Sequence, residues 1–131
     1  MKGIIEMLSR NEMLSRNQIL TVQDLRRELV VVPEWDGTVY VRGFTALERE
    51  EVEMRSMAMI DIATGTIKDA RQMAGLKAWI VARTVVDSDG QRVFSDADID
   101  GLQGKNALVI NRLADITGRL SSLDVGETEK K

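Results

Sequence analysis

Apolar positions divide this chain into a strand pair followed by helices. Leu29-Val30-Val31-Val32 is a β-branched run and Thr38-Val39-Tyr40-Val41 is a second. Between them lies Pro33-Glu34-Trp35-Asp36-Gly37. Proline lacks the N–H that a ladder needs, so Pro33 marks a strand end. Asp-Gly is a strong turn signal, because Gly tolerates positive φ and Asp nearly does. Val30 and Val32 share one face of the first strand and Leu29 and Val31 the other. Both faces are apolar, which predicts a strand covered on both sides. The second strand alternates Val39 and Val41 against Tyr40 and Arg42.

The period then changes from two to about 3.6. Thr45-Ala46-Leu47-Glu48 has capping-box spacing and opens a helix that runs to about Ile60. Leu47, Met54 and Ala58 mark its core stripe. The run Glu48-Arg49-Glu50-Glu51-Val52-Glu53 reads as a solvated face, or alternatively as an acidic docking surface. Thr64-Gly65-Thr66 breaks the pattern. A second helix is expected from Ile67 to Val85, with Ile67, Ala70, Ala74, Val81 and Val85 on one face and Trp79 in the core. Ser95-x-x-Asp98 has the spacing of another capping box and opens a short helix from Asp96 to Leu102, ended by Gly101 and Gly104. From Lys105 a last helix carries Val109, Leu113, Ile116, Leu120 and Leu123 as an apolar seam. This seam packs on the domain core or, in the alternative, on a partner or a second copy. The fold class predicted is α+β: one antiparallel β-hairpin followed by a small, mostly helical domain.

The N-terminus holds a direct repeat, Glu6-Met7-Leu8-Ser9-Arg10-Asn11 followed by Glu12-Met13-Leu14-Ser15-Arg16-Asn17. Six residues advance a helix by about 600°, so equivalent side chains land about 120° apart. The repeat does not continue one apolar face. It reads as a duplication or an upstream start, and otherwise as an interaction arm. The organisation expected is a flexible extension over 1–17, a domain over 18–123 and a disordered polar tail over 124–131.

Composition narrows the chemistry. A chain of 131 residues fits one domain. The 18 basic and 21 acidic residues give a net charge of −3, and no basic run is interleaved with aromatics, which argues against a nucleic-acid partner. Cys and His are both absent, which removes disulfides, thiolate zinc sites, the cysteine nucleophile and the commonest general base. The seven Met residues read as core filling. No apolar run approaches the ~20 residues of a membrane span. Met1 to Leu8 carries Glu6 and is a poor signal peptide, so a cytoplasmic protein is expected. In the Asp87-Ser88-Asp89-Gly90 loop, an EF-hand register would put Val85 at position one and Asp96 at position twelve. The first supplies no side-chain oxygen and the second is not the required Glu, so turn chemistry is the better reading. No Walker loop, GxGxxG, HExxH or GxSxG is present. No enzyme activity, cofactor or metal is expected.

Two blocks carry a resemblance. Val30-x-Val32-Pro33-Glu34-Trp35-x-Gly37-x-Val39-x-Val41-Arg42, followed by Thr45-x-x-Glu48-Arg49, resembles the tail assembly chaperone family of long-tailed bacteriophages. The second block is Asp87-x-Asp89-Gly90-x-x-x-Phe94-Ser95-Asp96-x-Asp98-Ile99-x-x-Leu102, with a helix after Lys105. Together they span about Gln18 to Leu123, and the family's usual opening corresponds to Met13 to Leu20. The resemblance implies a non-enzymatic protein of the host cytoplasm, absent from the virion. It would coat the tape-measure protein, help recruit tail-tube subunits and in some cases self-associate. The alternative is a structural tail or head-completion protein retained in the particle. The family supplies no catalytic residues, and the partner-binding candidates are Trp35, Tyr40 and Arg42 of the hairpin. It also implies a longer, frameshifted form; two adjacent Lys codons, as for Lys130-Lys131, can supply the run of adenines on which a ribosome slips.

Deleting Met1 to Glu12 is expected to leave stability nearly unchanged in urea unfolding. A loss above about 2 kcal/mol, the scale of a buried large apolar side chain, would show that the repeat packs on the domain.

Overall fold

The computed structural model describes residues 13–58, 60–61, 66–67 and 75–122. Strands β1 (Arg27–Val32) and β2 (Gly37–Arg42) pair antiparallel, with Arg27 opposite Arg42 and Val32 opposite Gly37. Pro33–Trp35 forms one 3₁₀ turn between them, and the Asp36 N–H donates to the Pro33 carbonyl at 3.1 Å. Asp36 sits in the left-handed region at φ 56°, which Asp tolerates better than most residues. The predicted hairpin is thus present. A third strand, β5 (Val85–Val86), adds to the other side of β2, giving the order β1-β2-β5.

One face of this sheet is covered. Val30, Val32, Val41 and Val85 are buried there. On the other face Val86, opposite Tyr40, is buried, but β1 is left open, which corrects the expectation for that strand: Leu29 is 54% exposed and Val31 64%. A strand apolar on both sides suggested a doubly covered sheet, yet the described helices pack on one side only.

The covering layer contains α3 (Leu76–Thr84) and α5 (Ala107–Ser122). Leu76, Ala78, Trp79, Ile80, Val81 and Ala82 are buried, so Trp79 is a core residue as expected. The α5 seam is also as predicted: Val109, Leu113 and Leu120 are buried and Ile116 is half-buried, while Leu123 lies outside the described residues. Between the helices the Thr84 and Thr117 hydroxyls meet at 2.8 Å, both fully buried. Each hydroxyl also has a carbonyl acceptor one turn back, Ile80 for Thr84 at 2.8 Å and Leu113 for Thr117 at 3.4 Å, so either can donate to the other. This pair fixes the rotation of α3 against α5.

Two boundaries differ from expectation. The helix expected from Ile67 begins at Leu76. Ile67 instead belongs to β4 (Thr66–Ile67), which pairs with β3 (Ile60–Asp61). The preceding helix, α2 (Ala46–Ala58), therefore ends before Ile60. Ala70, Ala74 and Thr64-Gly65 lie outside the described residues. At the other end α3 stops at Thr84, because Val85 turns extended to join the sheet. Ser95 and Asp98 form the predicted capping box, opening a 3₁₀ turn that leads into α4 (Ile99–Gln103). Asn106 caps α5, its side chain accepting from the Leu108 N–H at 2.8 Å. The Asp87 carboxylate accepts from the Asp89 and Gln91 N–H groups at 2.9 and 3.0 Å, which is turn chemistry. The short helix α1 (Arg16–Thr21) begins at a Ser15–Gln18 capping box and buries no residue.

The largest correction concerns α2. Its expected core stripe is outside: Leu47 is 65% exposed and Met54 71%. The side chain of Ala58 is not described. The buried residue is Glu48. It closes the predicted box, its N–H donating to Thr45 Oγ1 at 3.1 Å while Thr45 N–H donates to Glu48 Oε1 at 3.0 Å. Arg42 then grips the same carboxylate with two bonds of 2.8 and 3.0 Å. Its guanidinium also donates to the carbonyls of Gly43 and Arg83, at 2.9 and 2.8 Å. Arg83 approaches Glu48 at 4.0 Å and Glu51 at 3.5 Å, and its Nε donates to Asp96 at 3.1 Å. With Glu48 turned inward, Leu47 lies about 100° round the helix and faces out. Half-buried Val52, with Phe44 ahead of the helix, supplies the apolar contact to Leu76, Trp79, Ile80 and Ala114.

Burial alone would raise the Glu48 pKa. The bonds from Arg42 and Thr45 and the charges of Arg42 and Arg83 outweigh it, so the carboxyl is held below its ordinary 4.5. A folded-state pKa below the unfolded one means stability present above the unfolded value and lost as pH falls through the folded one. Glu48→Gln is expected to cost about 3 kcal/mol at neutral pH, since Arg42 is left buried without its counter-charge. In urea unfolding the gap to wild type should narrow as pH falls from 4.5 through the lower folded value. Leu113→Ala, which empties a fully buried site, is expected to cost about 2–5 kcal/mol. A variant that keeps its stability but loses self-association would instead make the α5 seam an interface.

Candidate interaction surfaces

Exposed apolar surfaces stand out among the described residues. The three hairpin candidates go to three places. Trp35 is half-buried in the turn and packs against the main core. Beside it Glu34 is tied to α5 by Arg112 at 2.7 and 3.1 Å. The Arg112 bonds, then the backbone N–H and the Arg112 charge, lower the Glu34 pKa to about 2. Tyr40 lies on the uncovered sheet face opposite Leu29, with the Arg27 guanidinium 4.6 Å from its ring centroid. Arg42 is 11% exposed, and its guanidinium braces β2 against α2 and α3. The structure therefore groups Tyr40 with Leu29 and Val31 on one sheet face, at the end of which Arg42 turns to Glu48, and sets Trp35 apart against the core.

Among the described residues, the rim of that face is an open strand. The Gly43 N–H donates to the Arg26 carbonyl at 2.9 Å, and antiparallel alternation then turns the backbone groups of Arg27, Leu29 and Val31 to the free edge of β1. Edges of this kind are usually blunted by Lys, Pro or a bulge. Pro33 ends β1, but Leu29 to Val32 carries none of these.

Three further surfaces have no clear signature in the sequence. The segment around α1 exposes Met13, Leu14, Ile19, Leu20 and Val22, with Met13 at 93%. Its signal is the Ser15-x-x-Gln18 box, which locates a helix too short to bury anything. A second surface is the outer stripe of α2, Leu47 and Met54, which apolarity assigns to the core. The third is a groove of about 740 Å³ between α3, α4 and α5. Leu76, Ala78, Leu102 and Ile110 lie along it, Leu108 stands at its lip 70% exposed, and Lys77 and Lys105 are its charged residues.

Three carboxylates are shifted in the same direction. Glu34, Glu48 and Asp96 are all held below the ordinary carboxylate range, in each case with arginine bonds opposing burial. A general acid requires the opposite shift. Among the described residues no group of three or more acidic side chains is placed to hold a metal ion, and no helix is long and apolar enough to cross a membrane.

Comparison with known proteins agrees with the two motif blocks. The solved structure of the bacteriophage HK97 tail assembly chaperone is similar in fold, with a TM-score of 0.56, 19% identity, and coverage of 93% of this chain and 97% of that one. No curated protein matches the chain in sequence. The sequence model for phage tail assembly chaperones matches residues 15–131, a span that takes in the hairpin, the Glu48 box, the outer stripe of α2 and the groove, and the chain belongs to that family.

Proposed function

We propose that this tail assembly chaperone works by masking apolar stripes on the phage tape-measure protein, and that it helps recruit tail-tube subunits to the coated chain. The observation that carries this reading is the set of large apolar side chains left outside a well-packed core: Met13, Leu14, Ile19, Leu20, Leu29, Val31, Leu47, Met54 and Leu108. Contiguous exposed apolar patches mark interaction sites on soluble proteins. A long helical client with unpaired apolar stripes is a natural complement, since an amphipathic helix binds by laying its apolar face on such a surface. The work needs no catalysis and belongs in the host cytoplasm before the particle is complete. Self-association of the chaperone is part of the same reading, because several separate surfaces on one small chain allow copies to join along a client.

Co-expression with the tape-measure protein of the same phage tests this. The tape-measure protein is expected to move from the pellet to the soluble fraction and to co-purify with the chaperone. Ile19→Asp combined with Leu20→Asp should weaken that recovery several-fold without lowering thermal stability, since neither side chain is buried. Mass spectrometry of purified virions should find none of this chain. Its presence at structural stoichiometry would favour a tail or head-completion component instead.

A further inference from the structure

We infer that the groove between α3, α4 and α5 receives the outer face of α2 from a second copy of this chain. This gives a site to the self-association proposed above and rests on that reading. The groove has an apolar interior: Leu76, Ala78, Leu102 and Ile110 are buried along it, and Leu108 extends from its lip. Its polar lining residues are Lys77, Lys105, Gln103 and Asn111, with Lys77 donating to Asn111. Small-molecule pockets of this size fix their ligand with a few convergent polar groups. Here all the buried lining is apolar, which suits side chains presented by a helix.

Charge selects which helix. Both charged residues of the groove are lysines, on a chain whose net charge is −3. The first turns of α3 and α5 border the groove and hold no acidic residue, so their positive dipole ends are uncompensated there. The occupant is therefore an apolar helix face that also carries acid. On α2, Leu47, Glu50 and Met54 step by three and four residues along one exposed face; Glu50 is its carboxylate, while Glu53 beside it is paired with Arg49 of the same helix at 3.6 Å. Two apolar knobs with a carboxylate between them meet an apolar slot with two ammonium groups at its edge. Helix α1 is more exposed, but it carries Arg16 and no acid, the wrong sign for this groove. The contact is small beside the roughly 800 Å² per partner of a standard interface, so the association is weak and concentration-dependent.

The test uses the purified full chain alone, by sedimentation velocity from micromolar to roughly millimolar concentration and at two salt concentrations. Wild type is expected to associate, and more weakly at high salt. Leu47→Asp with Met54→Asp, and separately Leu108→Asp, should each give monomers; all three positions are exposed, and urea unfolding verifies that the variants remain folded. A mixture of the α2 variant with the groove variant should recover pairing, because one intact contact remains between them. Lys77→Glu with Lys105→Glu should also dissociate the copies, and adding Glu50→Lys with Glu53→Lys should restore at least half of the association. Association unchanged by the Leu108 or the Leu47 and Met54 variants would overturn the inference. So would a wild-type chain that stays monomeric, and an acidic amphipathic peptide binding the groove of such a monomer would reassign it to a foreign helix. Tape-measure recovery in co-expression is read separately, so failure of this contact and failure of the chaperone reading are distinguishable.

Discussion

The buried carboxylate of Glu48 decides how the two halves of this molecule meet. It lies where β2 ends, where α2 begins and where α3 ends. Arg42 supplies two bonds to it from the strand, Thr45 supplies the cap, and Arg83 adds charge from the helix. A lone carboxylate in this position would be neutralised by its desolvation cost. Chelated, it stays charged and orients everything that touches it. The same Arg42 holds the Arg83 carbonyl near the end of α3, and Arg83 in turn stacks over buried Trp79 at 4.7 Å and reaches Asp96 in the following turn. One ion cluster thus sets the rotation of α2, the end of α3 and the approach to α4.

How far the sequence revealed this depended on whether a local rule or a tertiary contact was in control. Turn and cap chemistry is local: Pro33, Asp36-Gly37, Thr45 with Glu48, and Ser95 with Asp98 are all where their residue types require. The α5 seam was legible because five apolar residues stepping by four and three leave few alternatives. Strand β5 was not legible, since two valines at the end of a helical pattern look like its last turn until β2 offers them hydrogen bonds. Ile67 misled for a related reason. It fits the helical period of the residues on its C-terminal side, but its pairing with Ile60 across a short connection is a tertiary fact. The family blocks were visible, while the surfaces were not, because nothing in a motif states which apolar residues stay outside.

The case of α2 shows why. Apolarity assigned Leu47 and Met54 to the core and the acids to solvent, which is the correct default for a helix on a domain surface. The default fails here because the neighbouring strand end presents an arginine that is itself mostly buried. A charged pair with its remaining donors satisfied by backbone carbonyls outcompetes a leucine for that position, and the helix turns accordingly. The pattern of burial then becomes informative in the other direction. Residues that break the rule of apolar-inside are concentrated on α1, the open face of β1 and the outer stripe of α2, while α3 follows it closely and α5 does so beyond Leu108.

That division has a physical logic for an assembly factor. A chaperone must remain folded while its apolar surfaces are alternately covered and bare, so the interactions that hold the core cannot be the ones exchanged with partners. Here they are separate. The core rests on valines of one sheet face, on the α3–α5 contact and its threonine pair, and on ion pairs that tie the hairpin to α5, such as Glu34 with Arg112 and Glu28 with Arg119. The exposed stripes of α1, β1 and α2 draw on none of these, and the groove shares with the core only its floor of Leu76, Ala78, Leu102 and Ile110. Glu48 joins the two sets: the same inward carboxylate that stabilises the junction of strand and helix turns Leu47 and Met54 outward. A helix face that would otherwise be consumed by folding is left exposed, by an electrostatic contact rather than by a hydrophobic one.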